Sequence, residues 1–199
     1  MSFPSFFNQV PTISLRDPLA EFLGAASDGV IEYTYPDIVK LAGHSCPTVA
    51  GAYLMTLKAL QKLYGTELPE RGAIKVAFSD SQLNGVTGVI ANVVSFITGA
   101  TTDNGFKGLK GQFDRRNLLD FNVPHEGTIK FQRLDTSAQV TVSFNSAVVP
   151  ASPELMPALF NCLAPSATPE QRQQFALQWQ DRVKRILKNA DHPELIVFH

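Results

Sequence analysis

The chain has 199 residues, 44% hydrophobic and 18% charged, with 17 lysines and arginines against 18 aspartates and glutamates, a net charge of −1. A length of this order is one globular domain, and burying about 70% of the unfolded surface gives a core that folds without disulfide or metal. So balanced a charge excludes the broad basic face of a nucleic-acid binder or a polybasic membrane surface. The only cysteines, Cys46 and Cys162, exclude a disulfide framework and a zinc ribbon and suit the reducing cytoplasm. No apolar run reaches the roughly 18 residues of a membrane helix. The N-terminal stretch has no positive charge before Arg16 and is cut by Pro4 and Pro11, which is unlike a signal peptide.

The first predicted element is a helix over residues 17–26, with Asp17 as N-cap, Pro18 at the first helical position, and Leu19, Phe22, Leu23 and Ala26 at helical spacing. A strand, Val30–Tyr33, precedes a second helix that starts at Pro36 and stops at Gly43. Pro47–Tyr64 is a long helix apolar round most of its circumference, hence buried, and Gly65 ends it. Ala73–Phe78 reads as a buried strand, and Asn84–Ile97 as an apolar helix carrying Val86, Val89, Ile90, Val93, Val94 and Ile97. After a loop rich in Gly, Thr and Asn, the alternating runs 128–134 and 140–144 predict a hairpin about Asp135-Thr136-Ser137. Prolines break the next stretch, with one helix through Leu155–Leu163. A last amphipathic helix runs from Thr168-Pro169 to about Asn189 and has Phe175, Trp179, Val183, Ile186 and Leu187 on one face. This order is α+β, with no regular βαβ alternation.

The segment that points to chemistry is Ala42-Gly43-His44-Ser45-Cys46-Pro47-Thr48. Proline favours a first helical position and drives the residue before it out of the α region, so Cys46 falls at the N-cap of the buried helix. Unpaired N–H groups and the positive end of the helix dipole favour a thiolate there. His44, in the turn after Gly43, can bring its imidazole alongside. Thiolate plus imidazole suits a divalent transition metal, zinc first. The competing reading takes Cys46 as a small buried hydrophobe and His44 as a hydrogen-bonded structural residue. The other imidazoles, His125, His192 and His199, read as surface residues. Lys107, Lys110, Arg115 and Arg116 read as a charged, solvated loop, with no phosphate-loop motif.

The stretch LAGHSCPTVAGAYLMTLKALQKL resembles the opening motif of the FmdE-like family, which takes its name from an operon association with formylmethanofuran dehydrogenase. In that family a HGHxCPG segment leads into a small-residue helix; Gly43, His44, Cys46 and Pro47 match. A second block resembles the family's acidic segment and Thr-Gly-Cys-Thr loop: Val76–Asp80 and VIANVVSFITGATTDNG, with Thr98, Gly99 and Thr101 matching. The family's first His is Ala42 here, its Gly after the Pro is Thr48, and the Cys of its loop is Ala100. The resemblance, over about residues 35–145, implies a mixed sheet with helices packed on one side, residues 1–34 and 150–199 being additions within a single 1–199 domain. It implies a metal at His44 and Cys46. Two protein ligands are too few, so the rest come from water, the 98–104 loop, Asp80, or a histidine of this chain or of a second copy. Thr98, Thr101 and Asn104 are the cofactor-contacting candidates of that loop.

Two functions follow. One is a metal-binding protein, enzyme or redox-associated factor, acting on a small anionic or one-carbon-linked substrate. The other is a non-catalytic accessory or small-ligand-binding protein that keeps the fold after losing ligands, as Ala42 and Ala100 suggest. A homodimer is expected, because the two buried-type helices and the 168–189 helix offer more apolar face than one small sheet covers.

Overall fold

The computed structural model describes residues 3–199. Asp17 caps the first helix, accepting from the N–H groups of Leu19 and Ala20, with Pro18 at its first position. That helix, α1, is shorter than predicted and covers Pro18–Phe22. Gly24, at φ +71°, turns the chain into the left-handed region, and Phe22 and Leu23 are left exposed. α1 lies between β1 (Ile13–Arg16) and β2 (Val30–Tyr33), which pair antiparallel as a small separate sheet. β1 escaped the sequence reading because its four residues sit among prolines, with too few alternations to register.

Helix α2 (Tyr35–Ala42) opens on a Thr34/Asp37 capping box and closes at Gly43, whose φ of +74° suits a residue without Cβ. Helix α3 is Pro47–Tyr64, as predicted, and is buried along most of its length. Then follow β3 (Ile74–Phe78), α4 (Thr87–Thr98), β4 (Leu119–Asp120), β5 (Ile129–Arg133) and β6 (Gln139–Phe144). Helices α5 (Leu155–Leu163) and α6 (Pro169–Lys188) form a hairpin, and β7 (Ile196–Phe198) ends the chain.

The main sheet has the order β4-β3-β5-β6-β7. β3 and β4 are parallel and the other neighbours antiparallel, so the sheet is mixed, as expected. Alternation divides its faces. Ile74, Val76, Phe78, Ile129, Phe131, Val140 and Val142 are buried towards the helices, whereas Lys75, Lys130, Gln132, Thr141 and Ser143 are half-buried on the other face. The β3–β5 register pairs Ile74 with Arg133 and Phe78 with Ile129. α3 crosses β6 closely because Gly51 leaves room for the Phe144 ring, which any Cβ there would overlap. α6 covers α3 with Val183, Ile186 and Leu187, all buried, and with Trp179. The apolar face of α6 expected to seek a second chain is thus satisfied within this one.

Two hydrogen bonds orient the helices. Arg133, opposite the start of β3, donates to the Leu63 carbonyl in the last turn of α3. Gly72 N–H, just before β3, donates to the Thr98 carbonyl at the end of α4. Both helices therefore finish where β3 begins, and their N-termini point to the end where β3 finishes.

Beneath the α4 C-terminus lies a buried ionic knot. Asp17 accepts from Arg71 (2.9 Å) and Arg115 (2.6 Å), and Arg71 also donates to the carbonyls of Ile97 and Phe96. Burial alone would raise the Asp17 carboxyl, but the Arg71 hydrogen bond and the Arg115 charge outweigh it and hold it below the usual carboxylate range. Arg115 is thus a buried anchor of the 99–118 loop and not one of its solvated charges, while Arg116 forks onto Asp114. Among the described residues no helix is long and apolar enough to cross a membrane.

Candidate functional site

Cys46 caps α3. Its backbone is extended at φ −147°, as the following proline requires, and its Sγ accepts the Val49 N–H at 3.4 Å. The sulfur therefore sits in the first turn, against the helix's unpaired N–H groups, partly buried on the edge of the core. His44 is exposed, and its Nδ1 lies 2.9 Å from the Ala42 carbonyl oxygen. A carbonyl only accepts, so Nδ1 carries a proton, which leaves Nε2 as the ring nitrogen for a ligand. This is the arrangement by which a backbone carbonyl fixes the tautomer of a metal-ligating histidine.

The turn between these two residues is clamped from both sides. Ser45 Oγ and the buried Tyr35 hydroxyl share a hydrogen bond of 2.9 Å. The Ser45 carbonyl accepts from Trp179 Nε1 and from Gln180 Nε2, each at 3.0 Å. Burial pushes the Tyr35 hydroxyl far above its ordinary value, so it stays neutral and serves as a strut. Gln180 Oε1, on the amide that holds Ser45, is buried with no hydrogen-bond partner among the described residues. Local sequence patterns carried no signal for Trp179 and Gln180, since both lie more than 130 residues along the chain from the turn they hold.

Asp80 lies two residues past the end of β3, at the same end of the molecule as the α3 N-terminus, with its carboxylate exposed. Thr98, Thr101 and Asn104 do not join it. Thr98 is the last residue of α4, a helix about 18 Å long at 1.5 Å per residue, and Thr101 and Asn104 follow it, at the end where β3 begins. The hydroxyls of Thr98 and Thr101 are engaged as well. Thr98 Oγ1 is fully buried, donates to the Val94 carbonyl and accepts from Ala100 N–H; Thr101 Oγ1 donates to the Arg115 carbonyl at 2.6 Å. Asn104 is exposed and accepts from Thr102 Oγ1. In this chain the matched Thr-Gly loop folds the backbone around the α4 terminus, and within one chain it is remote from His44 and Cys46.

The other imidazoles are placed elsewhere. Both His125 nitrogens face carbonyls, of Glu126 at 3.0 Å and of Ala77 at 3.1 Å. His192 Nδ1 accepts from Glu194 N–H, and His199 Nε2 lies 3.0 Å from Ser143 Oγ. Among the described residues, no group of three or more His, Cys, Asp and Glu side chains is placed to hold a metal ion. The donors fit a zinc-type ion in kind and in tautomer, and fall short in number.

A family model covers most of this arrangement. The model described as "FmdE, Molybdenum formylmethanofuran dehydrogenase operon" matches residues 41–195, more than three-quarters of the chain and inclusive of α3–α6 and most of the main sheet. The chain belongs to the FmdE family. No curated protein matches it. The match begins at the turn that carries His44 and Cys46 and takes in Trp179 and Gln180, one side of the clamp on that turn; Tyr35, the other side, precedes the matched residues.

Proposed function

We propose that this FmdE protein binds a divalent transition metal, zinc first, through Cys46 Sγ and His44 Nε2, and presents it at the α3 N-terminus to a small anionic ligand. The observation that carries the reading is the pair of contacts behind the two donors, Val49 N–H on the sulfur and the Ala42 carbonyl on Nδ1. The carbonyl directs Nε2 of His44 to a ligand, and the Val49 N–H fixes where the Cys46 sulfur stands. A metal there would supply Lewis acidity, and a chain that contributes two ligands leaves the other positions to water and to the anion. The α3 dipole adds its positive end to the same place. Asp80, at the same end of the fold, is a carboxylate for orienting a bound water, and the unpartnered Gln180 Oε1 is an acceptor for one.

The second reading, a ligand-binding accessory protein without a resident metal, is favoured by the lack of a third protein donor among the described residues. Elemental analysis of protein purified without an affinity tag separates the two. The metal reading predicts close to one zinc per chain and loss of most of it in Cys46→Ser, with the fold intact. Metal-free wild type after purification in zinc-supplemented buffer supports the accessory reading.

A further inference from the structure

The helices cover one face of the main sheet, and the other face holds a hollow at its β4-β3-β5 end. In the antiparallel β3–β5 pair, Lys75 stands opposite Gln132 and Ala77 opposite Lys130; on the other side of β3, Ala77 pairs with Asp120 of β4. Four polar side chains thus surround one methyl group. Because Ala77 is short, a cavity of about 140 Å³ opens above it, lined by these five residues and by Val123. The segment that carries Val123 is pinned to β3. Val123 N–H donates to the Phe78 carbonyl at 3.0 Å, and His125 Nε2 lies 3.1 Å from the Ala77 carbonyl oxygen. Ala77 is buried at the floor, and Lys75, Asp120, Lys130 and Gln132 are half-buried around it.

The charges of this lining do not cancel. Lys75 and Lys130 are diagonal neighbours on one face of the β3–β5 pair, about 7–8 Å apart at the backbone. Asp120 is the acid of the lining, and it bridges Lys75 at 3.0 Å. Lys130 has no carboxylate partner among the described residues. An ammonium group has three donors and no acceptor, so one positive charge of the lining is left without a counter-charge. We infer that this hollow binds a compact oxyanion, of the size of phosphate or a small carboxylate, between the Lys75 and Lys130 ammonium groups with the Gln132 amide as a third donor. Acceptor oxygens on an anion are what such donors bind most strongly. The size agrees, because a cavity of roughly 150 Å³ holds a benzene-sized molecule. The hollow lies across the sheet from α3, so it is separate from the site at His44 and Cys46 and needs no metal there.

Titration calorimetry of the full chain tests the inference, with inorganic phosphate and glycolate as separate probes in a chloride buffer of physiological ionic strength. At least one of them should bind, one per chain, and which one does identifies the class of anion. Lys130→Met should weaken that binding at least tenfold. Ala77→Val fills the hollow and leaves every charge in place, and should weaken it as much. Lys107→Gln removes an exposed charge from the 99–118 loop and should change the affinity less than twofold. Protein as purified and protein stripped of metal should bind alike. Circular dichroism checks each variant, and should Ala77→Val not fold, Gln132→Leu replaces it and should weaken binding at least threefold. Four results overturn the inference: no binding of either probe, an unchanged affinity in Lys130→Met, an equal loss in Lys107→Gln, or binding that disappears with the metal.

Discussion

Asp17 joins three parts of the molecule through one carboxylate: the cap of α1, the Arg71 that holds the α4 C-terminus, and the Arg115 that anchors the long loop. Removing it by Asp17→Ala leaves two arginines with no counter-charge, and the expected loss is about 3–5 kcal/mol, read as a shift in urea midpoint. Its folded carboxyl lies below the ordinary value. Its contribution is therefore complete above about pH 4 and is lost as pH falls through the depressed folded value. Asp17→Asn should flatten the acid limb of the stability profile. Asp114 and Asp135, held at about 2 by hydrogen bonds from Arg116 and Arg133, keep their part of it. A variant whose acid limb matches the wild type would contradict this assignment. Gly72 is the backbone counterpart. At φ +88° with the Arg115 guanidinium seated where a Cβ would stand, Gly72→Ala should cost about 3 kcal/mol or more by combined strain and overpacking. The Cys46 cap was legible in the sequence from its proline neighbour. Arg115 was not, because a charged residue in a Gly-rich loop carries no local sign that its partner is Asp17, 98 residues earlier.

At the scale of elements, those with their own punctuation were legible. α3 runs from Pro47 to Gly65, α5 occupies Leu155–Leu163, and α6 starts at Thr168-Pro169 with a full capping box. β4 and β7 were not read. They have two and three residues, and they exist because β3 and β6 offer them edges to pair with, an effect of tertiary structure that no window of sequence contains. The C-terminal strand nevertheless carries weight, since Leu195 and Ile196 are buried. Removing residues 195–199 should lower stability by about 2–5 kcal/mol, the range for emptying core positions, and leave a cooperative transition. An unchanged midpoint would show that β7 adds nothing to the sheet. The α3–β6 crossing depends on Gly51. Gly51→Val should destabilise by about 1–3 kcal/mol through overpacking against Phe144, and a joint Phe144→Ala change should recover part of that loss.

Over the whole molecule, the Gly43–Pro47 motif and the Thr98–Thr101 loop, both part of the family resemblance, lie at opposite ends of α3 and α4, while Asp80 lies at the end of the first. The sequence shows them as neighbours in a pattern, and only the direction of the helices separates them in space. The motif holds a sulfur and an imidazole donor, each touched by a backbone group, with Ser45 between them held by Trp179 and Gln180 from α6; the Thr98–Thr101 segment folds a loop. Trp179→Phe removes one clamp without touching a donor. It should weaken metal binding by about 10–100-fold, the usual effect of losing a supporting contact, while the thermal midpoint moves by only a few degrees. The most direct test of the site is titration of the metal-free chain with cobalt(II), followed through the ultraviolet thiolate-to-cobalt charge-transfer band. The band should grow to one equivalent per chain, be absent in Cys46→Ser and saturate only at higher cobalt in His44→Ala. A wild-type protein that shows no such band, or a band that persists in Cys46→Ser, would contradict a metal at Cys46.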